Sequence, residues 1–213
     1  MMAGVQLIQF AKWPRRGRVK TRLASALGEA GALDAHVRLT LTVMDRLVQS
    51  GYPVTLAWDT AMAEPPEEAV SILQAMAASG VGQSTQQGED LGERMTRALT
   101  AGLREADIAM VVGSDCPSVD ADYIDQAKSA LAEADVVFGP SDDGGYVLIA
   151  ARRTRPEMLQ GVLWGSELAL AQSVAAARNA GLRVATLSPR WDVDEPADWD
   201  RFLAEFGQLP TGG

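Results

Sequence analysis

The chain has 213 residues, is 47% hydrophobic and 22% charged, and carries a net charge of −9. Such a length buries a sizeable core, and an acidic balance argues against general nucleic-acid binding, which favours a basic face. One cysteine (Cys116) rules out an intrachain disulfide framework and fits a reducing cytoplasm, and a single histidine (His36) argues against a zinc site.

In chain order, the apolar run from Val5 to Phe10 predicts a first strand. Six basic side chains follow within eleven residues, Lys12, Arg15, Arg16, Arg18, Lys20 and Arg22, and no acid occurs before Glu29. A short helix over 20–27 and an amphipathic helix over 31–50 come next; the latter has apolar residues at spacings of three and four and ends at Gly51. Strands are expected over 53–58 and, weakly, 82–85, with a helix over 66–79 between them. Asp90 and Glu93 have the spacing of a capping box for a helix running to about Glu105. The continuous apolar run Ile108–Val112 reads as a central parallel strand covered on both faces. A helix over 121–133 leads to a strand over 135–139. Then the alternation breaks: a turn-rich loop runs straight into the strand 146–150, which is therefore expected to pair antiparallel to a neighbour. A helix over 166–180, a strand over 183–187 and a final helix over 195–206 complete the chain. No run approaches the ~18 apolar residues of a membrane span, and no repeat or interdomain linker is visible. The expectation is one α/β domain over 1–213 with a mostly parallel sheet, whose ligands sit beyond the carboxyl ends of the strands.

Several motifs fall just after strands. The basic loop is either solvated surface or an anion seat at a strand-to-helix junction. Its Gly17-Arg18-Val19-Lys20-Thr21 lacks the spacing of a Walker A loop, and no Gly-x-Gly-x-x-Gly follows a strand. Gly113-Ser114-Asp115-Cys116-Pro117 follows the most buried strand; Asp115 is either a cap or a ligand-facing carboxylate. In Trp191-Asp192-Val193-Asp194, an extended backbone puts Asp192 and Asp194 on one face, whereas Glu195 and Asp198 are read as acids complementing the last helix dipole. Gly88 and Gly92 flank a helix start whose free N–H groups could meet a base or phosphate, although a plain helix cap is the favoured reading of Asp90 and Glu93. Asp143, Gly144, Gly145 and Tyr146 form a tight turn with open backbone access. His36 is read as structural and Cys116 as a packed small residue. Together, a basic loop and strand-end carboxylates are the parts of a nucleotide–metal site with Mg²⁺ or Mn²⁺.

With these residues in view, the chain resembles the DUF2064 family, also called rSAM/selenodomain-associated transferase 1, of the GT-A-like nucleotide-diphospho-sugar transferase superfamily. The shared pattern is Phe10-Ala-Lys-x-Pro-x-x-Gly-x-Val-Lys-Thr-Arg-Leu23, Gln87-Gly-x-Asp-Leu-Gly-Glu-Arg-Met95, Gly113-Ser-Asp-Cys-Pro117, Gly139-Pro-x-x-Asp-Gly-Gly-Tyr146 and Asp192-Val-Asp-x-Pro196. The resemblance implies a three-layer α/β/α Rossmann-like GT-A fold with a small antiparallel element. It implies a metal-dependent transferase using a nucleotide-activated donor: a nucleotide-sugar glycosyltransferase, or alternatively a nucleotidyltransferase releasing pyrophosphate, or a non-catalytic nucleotide-binding protein. By the same resemblance Lys12, Arg15, Lys20 and Arg22 hold phosphates, and Gly17, Thr21, Gly88 and Gly92, from the motifs read above, are expected beside them in the nucleotide site. Lys20 and Asp115 act in catalysis, Asp115 and Asp194 face a metal, and Asp143 to Tyr146 form an acceptor or donor loop. The chain departs from the Asp-x-Asp of many sugar transferases, since Pro117 stands where its second acid would be. The implied partners are a nucleotide or nucleotide-sugar donor and a small-molecule acceptor of unknown identity; the oligomeric state is open, a homodimer included.

Overall fold

The computed structural model describes residues 4–207. Seven strands form one sheet: β1 (Val5–Ala11), β2 (Val54–Trp58), β3 (Gly82–Thr85), β4 (Ile108–Gly113), β5 (Val136–Pro140), β6 (Tyr146–Ala151) and β7 (Val184–Thr186). Their order is β3-β2-β1-β4-β6-β5-β7. All pairings are parallel except those of β6, which lies antiparallel between β4 and β5. The expected reversal is therefore there, and β6 is an interior strand of the main sheet. Five of its six residues are buried, which explains the unbroken apolar run Val147–Ala151.

Side-chain alternation along the strands feeds two faces. Leu7, Met110 and Val112 meet Val43 and Leu47 of α1 (Ala24–Gln49) and Tyr123 and Ile124 of α4 (Ala121–Ala130). Ile8, Val111, Phe138 and Ile149 meet Met95 and Leu99 of α3 (Leu91–Gly102) and Ala177 of α5 (Ala169–Asn179). On the first face α2 (Val70–Ser79) adds Ile72 and Met76 against Leu56 and Trp58, preceded by a 3₁₀ turn at Glu67–Ala69. The last helix, α6 (Pro196–Phe206), packs Trp199 and Phe202 against Ala35 and Leu39 of α1. The result is a three-layer α/β/α sandwich.

Two helix boundaries differ from the sequence reading for identifiable reasons. The expected helices over 20–27 and 31–50 are one element, α1, broken at Gly28 with φ 69° and ψ 170°. Asp90 caps α3 by accepting from Glu93 N at 2.8 Å, but the Glu93 carboxylate reaches Glu89 N, one residue before the cap. Among the described residues no helix is long and apolar enough to cross a membrane.

The strand order reverses between β1 and β4, whose ends are level: Phe10 pairs with Gly113. Such a switch point opens a crevice at the carboxyl edge. Gln9 buttresses it from beneath. Its fully buried amide donates to Ser114 Oγ and Thr40 O, and Ser114 Oγ in turn donates to Phe10 O.

Candidate active site

The loop after β1 is anchored at its start. Trp13 stacks on Trp58 with centroids 3.8 Å apart, its backbone N–H donates to Asp59 Oδ1 at 3.0 Å, and its indole N–H donates to Thr60 O at 2.8 Å. Lys12, Arg18, Lys20, Thr21 and Arg22, with Arg94 from α3, line a cavity of 490 Å³ whose floor is Gly113, Ser114 and Asp115. Arg15 is directed elsewhere, its guanidinium 2.9 Å from Met62 Sδ, and Arg16 pairs with Glu29 at 3.3 Å. Gly17 takes φ 69° in a turn beside Glu29.

Lys20 is set apart from the other cations. Its backbone is left-handed, φ 46°, the single non-glycine positive φ among the described residues. That conformation costs about 1–2 kcal/mol for an L-residue. It turns the side chain inward, where 8% of it is exposed. The ammonium donates to Asp115 Oδ2 at 2.8 Å, to Asp194 Oδ1 at 3.1 Å and to Val193 O. Burial works against its charge, but the two carboxylates outweigh burial and raise its pKa. Burial likewise opposes ionisation of Asp115, and Lys20 reverses that, holding the carboxyl below its ordinary range.

Local hydrogen bonds explain how a residue 79 positions further on reaches Asp115. Val193 N donates to Asp115 O at 2.9 Å, and Ser118 Oγ donates to Trp191 O, so residues 191–194 are stitched along the loop after β4. Asp198, in the first turn of α6, accepts from Asp194 N at 3.1 Å and Glu195 N at 2.8 Å. Its task is thus to fix the backbone that carries Asp194, beyond complementing the helix dipole. Arg22 adds longer pairs to Asp194 (3.6 Å) and Glu195 (3.5 Å).

Three carboxylates, Asp143, Asp192 and Asp194, each offer an oxygen within 4.8 Å of the others. Asp115 joins this cluster through Lys20, which lies between it and Asp194. Asp192 is the residue whose role the sequence reading left open. Burial and the charges of Asp115, Asp194 and Asp143 push its pKa up to about 7. All the donors are hard carboxylate oxygens, and their mutual repulsion is relieved by a divalent cation, so the set fits Mg²⁺ or Mn²⁺.

The loop 139–146 borders a second cavity of 460 Å³, which shares Phe10, Arg22, Leu91, Gly113 and Asp194 with the first. Asp143 Oδ1 accepts from Gly145 N at 3.0 Å and from Ser141 Oγ, which fixes the turn. Gly144 has φ 88°, and a Cβ there would overlap the Glu167 carbonyl. Tyr146 lies edge-on between Phe138 (5.0 Å) and Trp164 (6.3 Å).

Gly88 and Gly92 have local reasons to be glycine. Gly88 takes φ 141°, and its carbonyl accepts from Arg94 Nε at 3.1 Å. Gly92 is buried in α3, where a Cβ would stand 2.8 Å from the Trp164 ring and 2.7 Å from Leu159 O. Gly92 thus lets α3 approach residues 159–164; Gly88 positions Arg94. His36, read from the sequence as structural, also lines the first cavity, while its Nε2–H donates to Lys12 O at 2.9 Å. Arg94 and Asp59 also face it.

Residues 46–166 match the family model described as an uncharacterized protein conserved in bacteria, DUF2064. The chain belongs to the DUF2064 family. It is 26% identical over 200 residues to a phosphoenolpyruvate guanylyltransferase from Sphaerobacter thermophilus, spanning 93% of this chain and 91% of the relative. A proposed nucleotide-diphospho-sugar transferase from Desulfovibrio desulfuricans G20 superimposes with a TM-score of 0.81 at 27% identity, covering 99% of this chain and 90% of that one. The manganese complex of Rv0371c from Mycobacterium tuberculosis H37Rv shares the fold, with a TM-score of 0.56 at 16% identity over 95% and 99% of the two chains. The DUF2064 chain therefore has the GT-A-like nucleotide-diphospho-sugar transferase fold expected from its motifs.

Proposed function

We propose that the chain is a metal-dependent glycosyltransferase that uses a nucleoside-diphosphate sugar. The observation that carries this reading is the seat of Lys20: a buried ammonium bonded to both Asp115 and Asp194 on the wall of a cavity rich in basic residues. Lys12, Arg18 and Arg22 bind the diphosphate oxygens; Lys20 holds the two carboxylates at a fixed spacing and presents positive charge to the bridging oxygen. Asp192 and Asp194, with Asp143, would hold Mg²⁺ or Mn²⁺, whose chemistry is neutralisation of charge on the departing phosphate. In the transfer, an acceptor oxygen bonds to the anomeric carbon as its bond to the β-phosphate oxygen breaks. The nucleoside diphosphate leaves with the electron pair, and the acceptor proton passes to solvent. The 27% identity and 0.81 TM-score to the Desulfovibrio protein support this donor class.

A second reading is favoured by a specific observation, the 26% identity to a guanylyltransferase along almost the whole chain. There an acceptor oxygen attacks the α-phosphorus of a nucleoside triphosphate, and pyrophosphate departs. Incubation with nucleotide sugars and nucleoside triphosphates in the presence of Mn²⁺, water serving as surrogate acceptor, separates the two. Nucleoside diphosphate released from a nucleotide sugar supports the first, and pyrophosphate released from a triphosphate supports the second. Tight binding with neither product contradicts both and leaves a non-catalytic nucleotide-binding role.

A further inference from the structure

The two cavities meet over Asp194 but differ in chemistry. The first presents Lys12, Arg18, Lys20, Arg22 and Arg94. Four acidic residues line the second, Asp143, Glu167, Asp192 and Asp194, against one basic residue, Arg22, which also pairs with Asp194 and Glu195. A divalent cation on the aspartate cluster balances part of this charge without making the cavity positive. The rest of the wall is apolar: Leu91 and Met95 from α3, Tyr146 and Ile149 from β6, and Trp164. At 460 Å³ the space suits a small molecule of one or two rings. Phosphoenolpyruvate, by its chemistry, carries a phosphate and a carboxylate, and the one cation on this wall, Arg22, is shared with the first cavity, where it serves the donor phosphates.

We infer that the second cavity receives the acceptor, and that this acceptor is an alcohol free of phosphate and carboxylate whose ring-bearing apolar body lies against Trp164, Tyr146 and Met95 with its hydroxyl toward Asp194. This rests on the transferase reading above in placing the donor phosphates in the first cavity. Anionic acceptors are rejected by the aspartate cluster, with Glu167 adding to the acidity of the cavity lining, since like charges at close quarters discriminate against wrong partners.

The test uses the whole chain in Mn²⁺ and a matched pair of probes, phenyl β-D-glucoside and its 6-phosphate, titrated calorimetrically with and without a nucleoside diphosphate. The neutral probe is expected to bind about tenfold tighter than the phosphate or better, as an unpaired charge in an acidic pocket demands. Trp164→Ala should weaken the neutral probe about tenfold while leaving nucleoside-diphosphate affinity within about twofold. Glu167→Lys, at an exposed position, should narrow or invert the preference. Equal or tighter binding of the phosphate, binding of neither probe, or indifference of both probes to the two substitutions overturns the inference. Loss of nucleoside-diphosphate binding, by contrast, would strike the donor assignment alone, because the probe preference is also read without nucleotide.

Discussion

Lys20 and Asp115, 95 residues apart in sequence, meet as an ion pair of 2.8 Å at the carboxyl edge of the sheet, where β1 and β4 end level with one another. The lysine accepts a left-handed backbone to make that contact. The pair turns a surface run of cations into one wall of a cavity that also holds Asp194.

The first prediction concerns that wall. Lys20→Ala combined with Arg22→Ala should weaken nucleoside-diphosphate binding by about 100-fold, as expected from two charge-assisted contacts. Nucleoside binding should change by less than about threefold, because nucleosides carry no phosphate for these groups to hold. Equal losses for both ligands, measured by calorimetry, would remove the loop from the phosphate seat.

A second prediction separates metal binding from folding. Asp192→Asn removes one carboxylate from a mutually repelling cluster, so the metal-free protein should melt at a higher temperature. Mn²⁺ affinity, followed by paramagnetic resonance, should fall about tenfold or more because a hard-cation site loses a charged ligand. Asp194→Asn should weaken Mn²⁺ binding too, but with a lower melting temperature, since it also takes the negative charge from a buried Lys20 ion pair. Unchanged Mn²⁺ affinity in both variants would dissolve the metal assignment.

His36 supplies a pH prediction with a defined sign. Burial lowers its pKa from 6.5; the Lys12 carbonyl partly opposes this and the Lys20 charge adds to it. The folded protein therefore holds the imidazole neutral. Its contribution to stability is fully present above about pH 6.5 and is lost as pH falls below that value, where the unfolded chain binds the proton first. With a single histidine in the chain, the imidazole resonance can be followed directly. A midpoint below 6.5 is expected; one at or above it would contradict the neutral, buried state.

Gly144→Ala tests the loop under the second cavity. The new Cβ overlaps the Glu167 carbonyl at a φ of 88°, so a cost of about 2–4 kcal/mol is expected from backbone strain and overpacking. For a chain of this size that is a fall of about 4–16 °C in melting temperature. A shift of under about 2 °C would mean that the loop has room to move.

Much of this was legible in the sequence because it depends on local pattern. The buried run Ile108–Val112, the turn at Gly144-Gly145 and the clustered cations have composition signals that survive without any partner. The antiparallel sense of β6 followed from the missing helix before it, whereas its place between β4 and β5 depended on long-range pairing that no local spacing encodes. Gly92 looked like ligand access because glycine at a helix start often means that; its actual neighbour, Trp164, lies 72 residues away. Asp192 and Asp194 share a face, as alternation predicted, but the approach of Asp143 to them depends on a loop crossing from another strand. The left-handed turn at Lys20 has no sequence mark, since lysine rarely adopts it.

The most direct test of the central claim is an equilibrium titration of the wild-type chain with a nucleoside diphosphate, and with the matching nucleoside, in Mn²⁺ and again in a chelator. A phosphate-and-metal site predicts that Mn²⁺ tightens the diphosphate by about tenfold or more and leaves the nucleoside unmoved. If the diphosphate binds equally well in chelator, or if neither ligand binds, Lys20 and the aspartates around it do not form that site.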